Sequence, residues 1–156
     1  MANAALASRK DLRDAVVAAR KGYTAWSKAT PYNRGQVIYR IAEMLESRRA
    51  EFVELIMIST GASAKIATAE VDAGIDRLVH YAGWTDKLAS VMGSANPVSG
   101  PYFSYSAPEP TGVVGALAPL GSPLLGLISV IAPVITGGNA CVVIAAEQDS
   151  FMTSPS

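Results

Sequence analysis

Apolar residues recur at helical spacing up to about Gly93 and then give way to near-continuous apolar runs broken by Pro and Gly. Leu12, Ala15, Val16, Ala19 and Tyr23 fall on one stripe, which predicts a helix from Asp11 to about Ser27. Thr30-Pro31 stops it, because the residue before proline is pushed out of the α region. Asn33 is placed to cap a second helix. Val37, Ile38, Ile41 and Leu45, continuing to Phe52, Leu55 and Ile56, form its inner face. Arg34, Arg40, Glu43, Glu46 and Arg48 fall mostly off that face, and Thr60-Gly61 ends the pattern. A third helix is expected from about Ala64 to Ala89, with Ile66, Ala69, Ala73, Ile75, Leu78 and Tyr81 inward.

Beyond Gly93 the character changes. Ser94 to Gly100 reads as a loop, and Tyr102 to Ser106 alternates weakly as a strand that looks made to pair with something outside the chain. Pro108 and Pro110 end it. Between Glu109 and Glu147 there is no Asp, Glu, Lys, Arg or His. Two apolar runs flank a longer one, with a Pro/Gly/Ser turn and Gly137-Gly138-Asn139 as punctuation. This is the pattern of a strand (Gly112–Ala118), a crossover helix (about Pro123 to Thr136) and a second strand (Ala140–Ala146), the strands covered on both faces. Pro123 suits a first helical turn and Ser122 the cap before it. The fold class is therefore α/β. A helical region (1–93) precedes a loop and strand (94–110), a βαβ unit (111–148) and a short tail (149–156).

The 156 residues are 50% hydrophobic and only 17% charged, which suggests that some apolar surface meets something outside this chain. The 13 basic and 13 acidic residues cancel. No basic excess favours nucleic acid. One cysteine excludes an internal disulfide and fits a cytoplasmic protein. The N-terminus lacks the basic and apolar regions of a signal peptide. A membrane span needs about 20 unbroken apolar residues, and here Pro119, Gly121, Pro123, Pro133 and Gly137 interrupt the run.

Chemistry-bearing groups are few. Neither a Gly-x-Gly-x-x-Gly turn nor a phosphate-binding Gly-x-x-x-x-Gly-Lys-Ser/Thr loop is present. His80 is the sole histidine and reads as a surface or packing residue; no metal cluster can be built around it. Cys141 sits in an apolar run, away from the positive, part-exposed setting of a reactive thiol. Asp72 and Asp76 read as a solvated helix face. Glu147 follows the second strand, where polar groups face the ligand crevice of a doubly wound sheet. It is either an acceptor for a ribose hydroxyl or part of an ordinary polar loop.

Several segments, in order, resemble the N-terminal part of the NAD(P)-dependent aldehyde dehydrogenase superfamily. They are Ala25-Trp26-Ser27, Pro31 to Gly35, Leu45-Glu46, Tyr81 to Lys87, Tyr102 to Tyr105, Glu109 to Gly115, Gly137-Gly138-Asn139 and Ala146-Glu147-Gln148. The resemblance implies the N-terminal helices and first βαβ unit of a Rossmann-like cofactor domain, incomplete here. It implies NAD as cofactor, and assembly as a homo- or hetero-oligomer with subunits of the same type. It also implies a reaction in which a cysteine thiolate attacks an aldehyde, hydride passes to NAD(P), and a glutamate-activated water releases the acid. The cofactor-contacting positions it implies are Leu117, Ala118, Pro119 and Leu120 after the first strand, and Ile144, Ala146 and Glu147 at the second.

Two departures stand out. Where the family has Pro-Trp-Asn-Phe-Pro, this chain has Pro119-Leu120-Gly121-Ser122-Pro123. Gly121 holds the position of the Asn amide that stabilises the oxyanion, a donor whose loss typically costs about a hundredfold to a thousandfold. Where the family has a lysine reaching the adenosine ribose or its phosphate, this chain has Ile144. With Glu147 left alone there, NADP is disfavoured against NAD, and the chain by itself is open to binding neither. The family's later glycine turn, general-base glutamate and nucleophilic cysteine have no counterpart here, so these residues are expected not to run the reaction alone. Three readings follow: part of a dehydrogenase, a non-catalytic relative kept for assembly, or a small NAD-binding module.

Overall fold

The structure, a computed structural model, describes residues 6–145. Helix α1 (Arg9–Trp26) begins two residues before the expected Asp11, because Ser8 and Asp11 close a reciprocal capping box. The Ser8 N–H donates to Asp11 Oδ2 at 2.8 Å, and the Asp11 N–H donates back to Ser8 Oγ at 3.4 Å. The cap of α2 (Pro31–Ser47) is Thr30, not Asn33. Thr30 Oγ1 accepts from the Asn33 N–H at 3.2 Å, with Pro31 in the first turn.

The apolar pattern that ran on to Thr60 is broken at Arg48, whose φ of −108° leaves the helical region, and α3 (Arg49–Thr60) starts afresh. The break lets α3 fold against α4 (Ala64–Trp84). Arg49 straddles the junction, paired with Glu46 at 2.6 Å and with Asp72 of α4. Arg34, expected off the inner face, is buried. It lies four residues before Ile38 and eight before Ala42, so helical phase places it on the core stripe despite its charge. Its guanidinium donates to the Ala29 carbonyl at 2.6 Å, and its Nε has no hydrogen-bond partner among the described residues.

The inner face of α4 matches expectation at Leu78, Ile75 and Tyr81, which are buried or packed against the core, and departs from it near the helix start. Ala67, Val71, Gly74, Leu78 and Ala82 are buried, whereas Ile66 is 61% exposed and Ala69 is exposed. The small residues form the buried stripe because α2 and α6 (Pro123–Thr136) both pack against α4. Following the larger side chains misjudges that phase at the helix start. The helix stops at Trp84 rather than Ala89, and a short α5 (Leu88–Met92) follows.

Ser94–Asn96, read as loop, is strand β1, and it pairs antiparallel with β2 (Ser104–Ser106). The Tyr102–Ser106 segment thus has a partner inside the chain, and Tyr102 and Phe103 precede the strand proper. The Asn96 amide donates to the hydroxyls of Ser104 and Ser106 at 3.4 and 3.0 Å, a link that alternation alone does not reveal.

Strands β3 (Val113–Leu117) and β4 (Ala140–Ile144) pair in parallel around α6, in register from Val113↔Ala140 to Leu117↔Ile144. The Asn139 side chain holds this register: its Oδ1 accepts from the Gly112 N–H at 3.0 Å, and its Nδ2 donates to the Val134 carbonyl. The strands are half-buried rather than fully covered, because a two-stranded sheet leaves both edges open. Helix α1 lies along the sheet, fastened by Trp26 Nε1 donating to the Ile135 carbonyl at 2.9 Å and by the Tyr23 hydroxyl donating to the Pro110 carbonyl at 3.2 Å. The core gathers Ile38, Ile56, Val71, Leu78, Leu124, Ile128 and Ala132 between α2, α3, α4 and α6.

Candidate functional site

The carboxyl ends of β3 and β4 and the start of α6 meet at one place, where doubly wound sheets bind ligands. Leu117 and Ile144 are cross-strand neighbours, and the Ala118 N–H extends the ladder by donating to the Ile144 carbonyl at 2.9 Å. Ala118 to Ser122 form the turn into α6. The Pro119 ring lies against bare backbone at Gly126, where an added Cβ would come within 2.6 Å of Pro119 Cγ. Gly121 stands at φ +90°, with open space around the position of a Cβ. Leu117, Leu120 and Ile144 are 72%, 67% and 56% exposed, so the crevice presents apolar side chains to solvent. Ala146 and Glu147 lie outside the described residues.

Below the crevice, Leu12 and Val16 of α1 face Gly115, Leu117, Val142 and Ile144 across a cleft of about 380 Å³. A second cavity of about 300 Å³, between α2, α3, α4 and α6, is lined by Met44, Phe52, Leu127 and Ile131. Its one cation, Arg48, is held by Glu51 at 2.5 Å, so this cavity offers no reactive group.

Ser122 makes no side-chain bond to the helix it precedes. Glu70 of α4 caps α6 instead, its Oε1 accepting from the Leu124 and Leu125 N–H groups at 3.0 and 3.2 Å. Sequence reasoning missed this residue, because 54 positions separate it from Leu124 and no local signal links them. Cys141 is partly buried on β4, and burial pushes its thiol above the ordinary value. His80 is an exposed residue of α4 whose ring meets Tyr81 edge-on at 5.3 Å. Among the described residues no group of His, Cys, Asp and Glu is arranged to hold a metal, and no helix is long and apolar enough to cross a membrane.

The fold is a helical layer packed on a parallel βαβ unit, with this crevice at the carboxyl ends of its strands. The sequence model of the aldehyde dehydrogenase family matches residues 1–154, and the chain belongs to that family. It is 36% identical over 148 residues to cytosolic aldehyde dehydrogenase 1 of Elephantulus edwardii, covering 91% of this chain and 28% of that protein. It is 35% identical over 144 residues to omega-crystallin of Enteroctopus dofleini, covering 90% and 28% respectively. The NAD+ complex of an aldehyde dehydrogenase from Bacillus cereus superposes with a TM-score of 0.87 at 30% identity, over 94% of this chain and 30% of that one. The chain thus spans under a third of the relatives it matches, corresponding to their N-terminal part.

Proposed function

We propose that these residues form the helical edge and first cofactor-binding unit of an NAD-dependent aldehyde dehydrogenase. The observation that carries this is the parallel β3–α6–β4 unit with Leu117 and Ile144 in register at its carboxyl edge. Leu117, Ala118, Pro119, Leu120, Ile144, Ala146 and Glu147 would line the cofactor's path. NAD, when bound, accepts the hydride. The apolar crevice suits its ring faces, and no ammonium stands at Ile144 to favour a 2′-phosphate. The reaction needs a nucleophilic cysteine and a general base from beyond these residues. At Gly121, only a backbone N–H and the neighbouring Ser122 hydroxyl remain to meet an oxyanion. The relative named as cytosolic supports a cytoplasmic setting.

Titrating the purified chain with NAD while following its melting temperature tests the reading. Saturable stabilisation, larger with NAD than with NADP, supports it; no stabilisation by either sinks it.

A second reading, a non-catalytic assembly partner, is favoured by the β1–β2 hairpin. Phe103 and Tyr105 stack at 5.8 Å and are 82% and 69% exposed beside an open strand edge. Co-purification with a longer aldehyde dehydrogenase, together with no response to NAD, favours this alternative.

A further inference from the structure

Helix N-termini in doubly wound folds are ready-made seats for a cofactor's phosphates, because the first N–H groups lack partners and the dipole favours negative charge. At α6 the backbone donors of the first helical turn itself are taken up. Pro123 has no N–H. The Leu124 and Leu125 N–H groups donate to Glu70 Oε1, and the Gly126 N–H donates to the Ser122 carbonyl at 2.7 Å. The carboxylate comes from the second turn of α4, a helix that packs along α6, so it is delivered by a rigid element rather than by a loop. Nothing lies within 4 Å of where a Cβ on Gly121 would stand, so no crowding at that residue adds to the closure by Glu70.

We propose that Glu70 is a specificity-determining residue of this crevice: its carboxylate fills the anion seat at the start of α6 and keeps phosphate groups off that helix. A dinucleotide in the crevice is therefore held over Leu117, Leu120 and Ile144 by its ring faces, with its phosphates turned away from Leu124 and Leu125. That last statement rests on the cofactor reading above; the closure of the helix end does not.

The test is a titration of the 15N-labelled full chain with inorganic pyrophosphate, reading the amide resonances of Leu124 and Leu125. In the wild type these two do not respond. In Glu70→Ala they shift saturably, with an apparent affinity at least about fivefold above the wild type. Glu70→Gln keeps an oxygen acceptor and removes the charge, so it responds more weakly than Glu70→Ala, and it serves if the alanine variant fails to fold. Saturable shifts of Leu124 and Leu125 in the wild type, or folded variants that bind no better than the wild type, overturn the proposal. A parallel NAD titration separates the two ideas. If NAD moves no resonance while Glu70→Ala gains its pyrophosphate response, the cofactor reading fails and the role of Glu70 stands.

Discussion

Gly35 of α2 faces Thr85 with no room for a side chain: a Cβ there would lie 2.7 Å from Thr85 Oγ1 and 3.0 Å from the Ala82 carbonyl. Thr85 is itself buried and donates to that carbonyl at 2.9 Å, so neither neighbour can swing away. Alanine at position 35 gains about 1 kcal/mol of helix propensity against about 1–3 kcal/mol for overpacking. Gly35→Ala is therefore expected to destabilise the fold in urea unfolding by up to about 2 kcal/mol, the overpacking outweighing the propensity. A stabilised variant would show that α2 and α4 do not meet this closely.

Ile56 and Ile66 make a matched pair for the packing. Ile56 is fully buried, and Ile56→Ala should cost about 2–5 kcal/mol. Ile66, which periodicity alone places inward, is 61% exposed, and Ile66→Ala should stay within about 0.5 kcal/mol of the wild type. Equal losses in denaturant melts would restore the sequence-based phase of α4.

Gly121→Asn tests the most consequential departure from the family pattern. Asn tolerates positive φ better than most residues, and open space surrounds the added Cβ. The chain should fold with a loss of about 1 kcal/mol, at the low end for a strained backbone position. In a longer chain that supplies the cysteine and glutamate, the same change should raise kcat by about a hundredfold or more, from the restored oxyanion donor. Unchanged turnover in a well-folded variant would remove the oxyanion role from this position.

Asp11 predicts an acid response at the start of α1. The Ser8 backbone N–H, and then its hydroxyl, hold the Asp11 carboxyl below its ordinary value of 3.8. Ionised Asp11 therefore stabilises the folded helix above that value, and the contribution disappears as pH falls through the lower folded value. Amide protection in the first turn of α1, measured against the intrinsic exchange rate at each pH, should fall on acidification in the wild type and be less pH-sensitive in Asp11→Ala. Identical profiles would contradict the capping box.

Cys141 should behave as an inert thiol. Burial raises its thiol above the ordinary value, so little thiolate exists at neutral pH. A thiol reagent should label it more slowly in the native chain than in the urea-unfolded chain. Labelling at equal rates would show that β4 leaves it open.

Much of this protein was legible along the chain. The helix Pro123–Thr136 and the flanking strands are local in origin, since an uncharged run divided by Pro and Gly has few other ways to satisfy its backbone. What the pattern misplaced was phase and partnership. Large residues such as Ile66 drew the start of the predicted face of α4 away from its small-residue stripe, and Arg34 was set outside by its charge although its helical phase runs through Ile38. The turn at Gly121 and the strand end at Ile144 were readable because each depends on residues next to it. The cap of α6 was not, because Ser122 has the right chemistry in the right place and the structure uses Glu70 instead.

The sequence by itself determined the strand–helix–strand run, the course of the main helices and the family pattern, because these reside in residue type and short-range order. Only the tertiary structure decided that β1 answers β2, that α3 turns back at Arg48 and that a carboxylate from α4 closes the end of α6. Those outcomes depend on which distant surfaces come within hydrogen-bonding distance, and helix packing sets that distance.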